Sequence, residues 1–286
     1  MDASVFQAIT HLLFQDVVIV SFARTPIGKF GGDMSGLSGP KLGAVAVREA
    51  VAQAGIDPAL VQETFMGNVV GAGSGQAPAR QAVIYGGLPV TVPCTTINKV
   101  CASGMKAVML AAQGLSLGPE AGEAGGVVVA GGFESMSNVP YYLLQARKGY
   151  RLGNGTLVDG VVHDGLWDVY DDHHMGVCAE LCAEKYGLGR EDQDLYASRS
   201  YARAADAWQQ ASKHHGKFDQ EVVPVEVPQR KGDPLIISRD EEFTNIDLVK
   251  LPSLRPAFKG KGGTVTAANA SSLNDGAAAM VLMTHA

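Results

Sequence analysis

Short β-branched runs alternate with Ala- and Leu-rich segments along the first half of the chain, and this alternation limits the possible folds more than any other feature. Continuous apolar runs between turn residues predict buried strands at residues 16–21, 63–70, 95–100 and 125–131. Helical spacing of apolar residues predicts helices at residues 40–54, 77–86 and 103–117. Strands that alternate with helices predict an α/β fold of parallel βαβ units, with helices on both faces of the sheet.

A second pattern interrupts the first between residues 137 and 257, which are more polar and hold both tryptophans. The apolar spacing there predicts helices at 176–187 and 190–212, and short strands at 222–227 and 235–238. A buried strand of the first kind returns at residues 277–283. We therefore predict a main domain split between residues 1–136 and 258–286, with residues 137–257 forming an inserted α+β domain.

Composition limits the partners that the chain is expected to have. The chain has 286 residues, a net charge of −6 and 46% hydrophobic residues, which is ordinary for a globular protein. The charge balance does not favour nucleic acid, which needs a clustered basic face. No apolar run reaches the length of a membrane span, and residues 1–15 lack the features of a targeting peptide. A cytoplasmic location is therefore expected, with the mitochondrion and the peroxisome left open.

The 4 cysteines do not form the pattern of a disulfide framework in a chain of this length. Cys178 and Cys182 are spaced so that both lie on one face of a helix. A metal site there would need further ligands, and the sequence contains no second cysteine pair. We therefore interpret these two cysteines as small buried residues.

Cys101 lies where a predicted strand gives way to a predicted helix, in residues 98–106 (NKVCASGMK). The first turn of a helix has unpaired N–H groups and a partial positive charge, which stabilise a thiolate. A thiolate is a good acceptor of acyl groups, and the small residues at 102–104 leave room for a substrate. A buried structural cysteine is the ordinary alternative. The position of Cys101 favours a nucleophile.

Two further stretches place small residues beside predicted strands. Residues 127–140 (VVVAGGFESMSNVP) run from a strand through a double glycine into a polar loop. This is the end of the sheet at which α/β proteins place their sites. Residues 263–278 (GTVTAANASSLNDGAA) would let an extended ligand lie against the main chain, and a tightly packed turn is the alternative.

These three stretches closely resemble the thiolase family, and shorter matches support them at residues 24–28 (RTPIG), 78–80 (PAR) and 173–176 (HHMG). The biosynthetic acetyl-CoA C-acetyltransferase type is the most similar. The resemblance implies a layered α/β fold, in which an N-terminal mixed-sheet domain of βαβ units carries an inserted α+β loop domain. It also implies a homo-oligomer, dimer or tetramer, that condenses two acetyl-CoA to acetoacetyl-CoA, or catalyses the thiolytic reverse. Cys101 would carry the acyl group as a thioester.

The resemblance further implies positions for coenzyme A. Several residues fall where related enzymes contact it, and a lysine among them suits its phosphates: Tyr201, Asn245, Ile246, Asp247, Lys250 and Ser271. Met175 and Phe258 would line the pantetheine tunnel and the acyl pocket, or alternatively belong to the core of the inserted domain. No cofactor is implied as obligatory, but some relatives bind potassium, and the matching positions are Tyr201, Ala267, Ala268 and Ala270.

A complete thiolase has a second domain that supplies a histidine and a second cysteine, and the sequence contains neither of their motifs. We therefore expect that the C-terminal domain is missing. The histidine would activate Cys101, and the second cysteine would move the proton in the Claisen step. The chain alone is expected to be inactive, and to expose apolar surface where the missing domain would pack.

Two other functions compete with the acetyltransferase. One is a non-catalytic module that binds coenzyme A or assembles with full-length thiolase subunits. The other is a related condensing enzyme of the same fold that acts on carrier-bound acyl chains. The residues that flank Cys101 argue against the condensing enzyme, and a C-terminal half in the encoding transcript would separate the acetyltransferase from the assembly module.

Overall fold

The computed structural model describes residues 16–117, 126–211, 218, 220–244 and 246–285. The strands are β1 (Val17–Arg24), β2 (Gly28–Lys29), β3 (Glu63–Gly67), β4 (Cys94–Ile97), β5 (Val127–Ser135), β6 (Tyr141–Tyr142), β7 (Val158–Asp159), β8 (Trp167–Asp168), β9 (His173–His174), β10 (Val225–Val227), β11 (Leu235–Ile237) and β12 (Asn274–Thr284). The helices are α1 (Gly39–Ala54), α2 (Pro78–Tyr85), α3 (Ser103–Ser116), α4 (Gly160–Gly165), α5 (Met175–Tyr186) and α6 (Arg190–Ala211).

The main sheet is mixed, in the order β1-β12-β5-β3-β4, and β2 pairs with the start of β12. Strand β3 runs parallel to β4 and β5, whereas β12 runs antiparallel to β1 and β5. Strands β3, β4 and β5 pair in parallel, as predicted, and β12 makes the sheet mixed, as the resemblance implies. Asp275 of β12 pairs with Ser135, the last residue of β5. Because β5 ends and β12 begins at the same end of the sheet, β12 has to run antiparallel to β5.

Helices cover both faces of the sheet, as predicted, because β5 points alternate side chains to opposite faces. Val127 and Val129 join the larger core, which α1 and α2 complete. Val128 and Ala130 face the other way and pack with Leu282 and with residues of α3. The observed mixed α/β architecture agrees with the predicted fold class. The division at residues 137 and 258 into a main and an inserted domain stays a prediction.

Arg24, at the end of β1, connects the sheet to residues far along the chain. Its guanidinium donates to Glu221 Oε1 at 2.7 Å and to Asp240 Oδ1 at 2.8 Å. The Asp240 carboxylate also accepts the Ile27 N–H at 2.7 Å and the Trp208 Nε1–H at 3.0 Å. Charge-assisted hydrogen bonds between partly buried groups are among the stronger polar contacts. They connect Trp208, Glu221 and Asp240 to the end of β1 and to the residues just after it.

One face of the molecule exposes apolar side chains. Met105 and Met109 of α3 are 70% and 49% exposed. Phe22 of β1 is 49% exposed on the same face of the sheet, opposite to its buried neighbour Ala23. An apolar face of this kind marks a surface that docks another chain or domain. None of the helices in the described ranges is long and apolar enough to span a membrane.

Glu180 ties α5 to the segment that returns to the sheet. Its buried carboxylate accepts the N–H groups of Thr264 and Val265 and the Thr264 hydroxyl, each at 2.9 Å. Burial alone would raise the pKa of Glu180, but the hydrogen bonds from Val265 and Thr264 outweigh it and lower the pKa below its ordinary 4.5. The ionised carboxylate therefore stabilises this join.

Replacing Glu180 with glutamine should lower the free energy of unfolding by about 1–3 kcal/mol at neutral pH, because a charged acceptor of buried N–H groups is lost. A depressed pKa stabilises the fold above the ordinary value of 4.5, and that stabilisation is lost as the pH falls through the folded pKa. Urea unfolding should thus show a smaller difference between wild type and variant in acid.

The matched control is Glu184→Gln on the same helix. Glu184 is exposed and pairs with Lys259 at the surface, so its loss should cost about 0.5 kcal/mol or less. Equal destabilisation by both substitutions would contradict the role given to Glu180.

Candidate functional site

Cys101 lies in a strained turn between β4 and α3, at the mouth of a cavity. Val100, before it, has a left-handed φ of 49°, which is costly for a β-branched residue. Neighbouring side chains hold this conformation: Asn98 Oδ1 accepts the Val100 N–H at 3.0 Å, and Ser103 Oγ accepts the Lys99 N–H at 2.9 Å. The prediction that a strand extends to residue 100 was wrong, because β4 ends at Ile97, before this turn.

The start of α3, beside Cys101, has no side-chain cap. Ala102 occupies the N-cap position and makes no side-chain hydrogen bond to the helix, so the first N–H groups are free of a side-chain cap. The helix also begins unusually close to β3. A Cβ atom at Gly67 would lie 2.6 Å from the Gly104 nitrogen and 2.6 Å from the Ser103 carbonyl carbon. Only glycine at position 67 allows α3 to start where it does.

The cavity beside Cys101 has a volume of about 390 Å³ and a largely apolar wall. It lies at the carboxyl ends of β3 and β5, where α/β proteins place their sites. The predicted main domain and the predicted inserted domain both contribute residues to the wall. It includes Gly67, Val70, Phe133, Met136, Val161, Leu166 and Gly276. Among the described residues that line it, Cys101 and Glu134 are the titratable groups, and none is a histidine or a lysine. An exposed thiol thus faces an apolar space that can hold a small acyl group.

Glu134 is a cavity residue that the sequence reasoning missed. Its carboxylate accepts the N–H groups of Val69 and Val70 at 2.9 and 3.0 Å, and the Asn68 Nδ2–H at 2.6 Å. Burial raises the pKa of Glu134, although the two backbone N–H groups act in the opposite direction. These bonds also explain why β3 ends at Gly67 and not at residue 70, as was predicted. The available signal was an acidic residue two positions after the double glycine of β5.

Met175 and Phe258 lie next to the cavity wall without lining it. The Met175 N–H donates to the carbonyl of Leu166, a wall residue, at 2.8 Å. Phe258 stacks on the His174 ring with centroids 4.7 Å apart, and a Cβ atom at Gly176 would lie 2.3 Å from the Phe258 ring. Phe258 is therefore packed against the start of α5. The predicted contacts of both residues with pantetheine stay predictions.

Two of the other residues predicted to contact coenzyme A share a small core away from the Cys101 cavity. Tyr201 packs on a small core formed by Ala197, Leu251 and Ala268, and Ile246 packs on the same core. The remaining described members, Asp247, Lys250 and Ser271, are exposed. Lys250 forms an ion pair with Asp247 at 3.0 Å, which lowers the pKa of Asp247. Asn245 lies outside the described residues. None of these described residues lines the Cys101 cavity, and their role stays a prediction.

Cys178 and Cys182 differ from the prediction that both are small buried residues. Cys182 is exposed and Cys178 is half-buried. Glu180 and Ala183 occupy the buried face of α5. Residues three or four apart share a helix face. Cys182 is two residues from Glu180 and one from Ala183, so it lies off the buried face and is exposed.

Comparisons with known proteins agree with this geometry. The family model for the thiolase N-terminal domain matches residues 17–286. An acetyl-CoA acetyltransferase of Arabidopsis thaliana is 56% identical over 94% of this chain and 64% of its own length. A thiolase of Ascaris suum, solved in complex with coenzyme A, superimposes with a TM-score of 0.84 and 42% identity, over 94% of this chain and 65% of its own. An acetyl-CoA acetyltransferase of Syntrophomonas wolfei also has a TM-score of 0.84, with 41% identity.

The chain spans 64% of the length of the Arabidopsis relative and 65% of the Ascaris structure. It matches the Ascaris structure over a mixed α/β fold. The family model extends over almost all of the described structure. The chain therefore belongs to the thiolase family, whose N-terminal domain it carries from residue 17 to residue 286.

Proposed function

We propose that this chain accepts an acetyl group from acetyl-CoA on Cys101 and is the nucleophilic part of an acetyl-CoA acetyltransferase. The Cys101 sulfur attacks the thioester carbonyl, a new C–S bond forms, and the bond to the coenzyme A sulfur breaks. The proton of the thiol passes to the departing coenzyme A. A second acetyl-CoA then loses a proton from its α-carbon, which forms a C–C bond with the acetyl carbonyl carbon. The C–S bond to Cys101 breaks, Cys101 regains a proton and acetoacetyl-CoA leaves; the thiolytic direction is the reverse of these steps.

The observation that carries this proposal is the exposed Cys101 thiol at the mouth of an apolar cavity, next to the start of α3, which has no side-chain cap. A helix start stabilises a thiolate and any negative charge that develops beside it. The apolar wall holds an acyl group and excludes water that would hydrolyse the thioester. The names of the relatives, acetyl-CoA acetyltransferases, specify the acyl group.

The proposal includes a binding surface for coenzyme A along Tyr201, Ile246, Asp247, Lys250 and Ser271. Lys250 supports it, because an exposed ammonium suits a phosphate. Potassium would fit nearby, since a hard cation prefers oxygen ligands and the small core packs Tyr201 against Ala268. Among the described residues, the carbonyl oxygens of 267, 268 and 270 accept none of the backbone hydrogen bonds outside helices and strands.

We also propose that the 286-residue chain does not turn over by itself and acts within a larger assembly. The described cavity wall contains no histidine to activate Cys101 or to hold the thioester oxyanion. Loss of one oxyanion donor typically costs about 100–1000-fold in rate. The exposed apolar side chains Phe22, Met105 and Met109 support a partner surface, either in a homo-oligomer or with a C-terminal thiolase domain.

Thiolysis of acetoacetyl-CoA by the purified chain tests this proposal. We expect a rate at least about 100-fold below that of a full-length relative, because the described cavity wall has neither a histidine nor a second cysteine. Cys101→Ala is the control. Turnover that depends on Cys101 and equals the rate of a full-length relative would contradict the proposed inactivity. Binding of coenzyme A without any acyl transfer to Cys101 would favour the assembly module over the acetyltransferase.

A further inference from the structure

Three side chains bring metal-ligating atoms together around one point, separate from the residues that line the Cys101 cavity. His173 Nε2 lies 3.3 Å from Cys178 Sγ. Asp168 Oδ2 lies 3.9 Å from the same sulfur and 3.9 Å from the same nitrogen. All three residues are half-buried, so the group is not a set of solvated surface charges. A nitrogen, a sulfur and a carboxylate oxygen thus form a nearly equilateral triangle.

The local fold fixes this triangle within a short stretch of chain. Asp168 and His173 are cross-strand partners in the β8–β9 hairpin, so their side chains lie side by side on one face. Cys178 projects from the first turn of α5, which follows β9 directly. Asp168 Oδ1 accepts the Tyr170 N–H at 3.0 Å. That outer bond orients the carboxylate and leaves Oδ2 for the triangle, as is usual for metal-binding carboxylates.

The geometry distinguishes a metal site from a hydrogen-bonded nucleophile. In a cysteine nucleophile with a histidine base, the thiol and the carboxylate bind opposite nitrogens of the imidazole ring. Here both Cys178 Sγ and Asp168 Oδ2 approach the same nitrogen, Nε2 of His173. The arrangement therefore converges on a shared centre and does not form a relay.

We propose that Asp168, His173 and Cys178 bind a zinc ion. Ligand atoms about 2.0–2.3 Å from a tetrahedral zinc lie roughly 3.3–3.8 Å from one another, close to the observed 3.3 and 3.9 Å. A thiolate with an imidazole selects zinc over magnesium or calcium, which prefer oxygen ligands. Three protein ligands leave the fourth position to a water molecule. The ion would fasten the β8–β9 hairpin to α5, immediately around His174 and Met175.

Metal titration of the 286-residue chain, freed of metal with a chelator, tests the site. Zinc in competition with a chromophoric chelator should show one bound equivalent per chain, and Co²⁺ should give a sulfur-to-metal charge-transfer band. Cys178→Ser and His173→Gln should each weaken zinc binding at least about 100-fold, since losing even an outer-shell partner costs about 10–100-fold. Cys182→Ser on the same helix and Cys101→Ser are matched controls and should bind zinc as wild type does.

A measurement on the wild-type chain keeps the test independent of how the variants fold. Zinc should protect Cys178 from alkylation, read by mass spectrometry, while the exposed Cys182 and Cys101 react at unchanged rates. Failure to bind one equivalent, binding that survives Cys178→Ser, or zinc protection of all cysteines alike would each overturn the proposal. None of these outcomes depends on acetyl transfer, so the zinc site and the proposed activity are tested separately.

Discussion

Replacing Cys101 with alanine should reduce acetylation of the chain by acetyl-CoA at least about 100-fold, to the background of non-enzymatic transfer. The physical reason is that the alanine variant lacks the sulfur that forms the thioester, while the cavity around it is unchanged. Incubation with acetyl-CoA followed by intact-mass spectrometry measures the effect. The wild-type chain should gain one acetyl group, and peptide mapping should locate it at Cys101.

Cys182→Ala provides the matched control, because Cys182 is also an exposed thiol but lies on α5, outside the cavity wall. Its loss should leave acetylation unchanged. Equal acetylation of Cys101 and Cys182 in the wild-type chain would show that the label reports exposure alone. In that case, the turn before α3 would contribute nothing to reactivity, and the proposed function would fail.

Gly67→Ala should lower the free energy of unfolding by about 1–3 kcal/mol, and should also slow acetylation of Cys101. The added methyl group would sit 2.6 Å from backbone atoms of Ser103 and Gly104. Backbone atoms cannot rotate away as a side chain can, so the start of α3 has to move away from β3. Cys101 lies two residues before Ser103 and would move with it. Urea unfolding and the acetylation rate measure the two effects.

Gly114→Ala, in α3, is the control for adding a methyl group without a steric clash. A Cβ atom at Gly114 would meet nothing within 4 Å, so the change should stabilise the fold by about 0.5–1 kcal/mol through helix propensity. It should leave acetylation of Cys101 unaltered. A neutral Gly67→Ala would show that β3 and α3 can separate freely, and that the close approach does not position the nucleophile.

Much of the molecule follows from local sequence pattern. The strands and helices of the sheet fall within a few residues of their predicted positions, because buried strands and amphipathic helices have short repeats that one segment displays by itself. The prediction of Cys101 as a nucleophile rests on the same kind of local signal, since Cys101 lies between a predicted strand and a predicted helix. The thiolase family was also readable, from the stretches around Cys101, residues 127–140 and residues 263–278.

Other features could not be predicted from local pattern. The direction of β12, the end of β3 at Gly67 and the exposure of Met105 each depend on which distant segment lies alongside. A periodic pattern records that one face of an element is apolar, but not which neighbour covers that face. Strand pairing and coverage are therefore decided only when the chain assembles.

The sequence by itself determined the α/β class and the family and predicted Cys101 as the nucleophile, because each depends on contiguous residues with a characteristic spacing. The tertiary structure alone decided that Glu134 reaches back to the N–H groups of Val69 and Val70, and so enters the Cys101 cavity. It also decided that Asp168, His173 and Cys178 meet at one point. The physical reason is that hydrogen bonds and metal sites require atoms within a few ångströms, and only the folded backbone sets those distances.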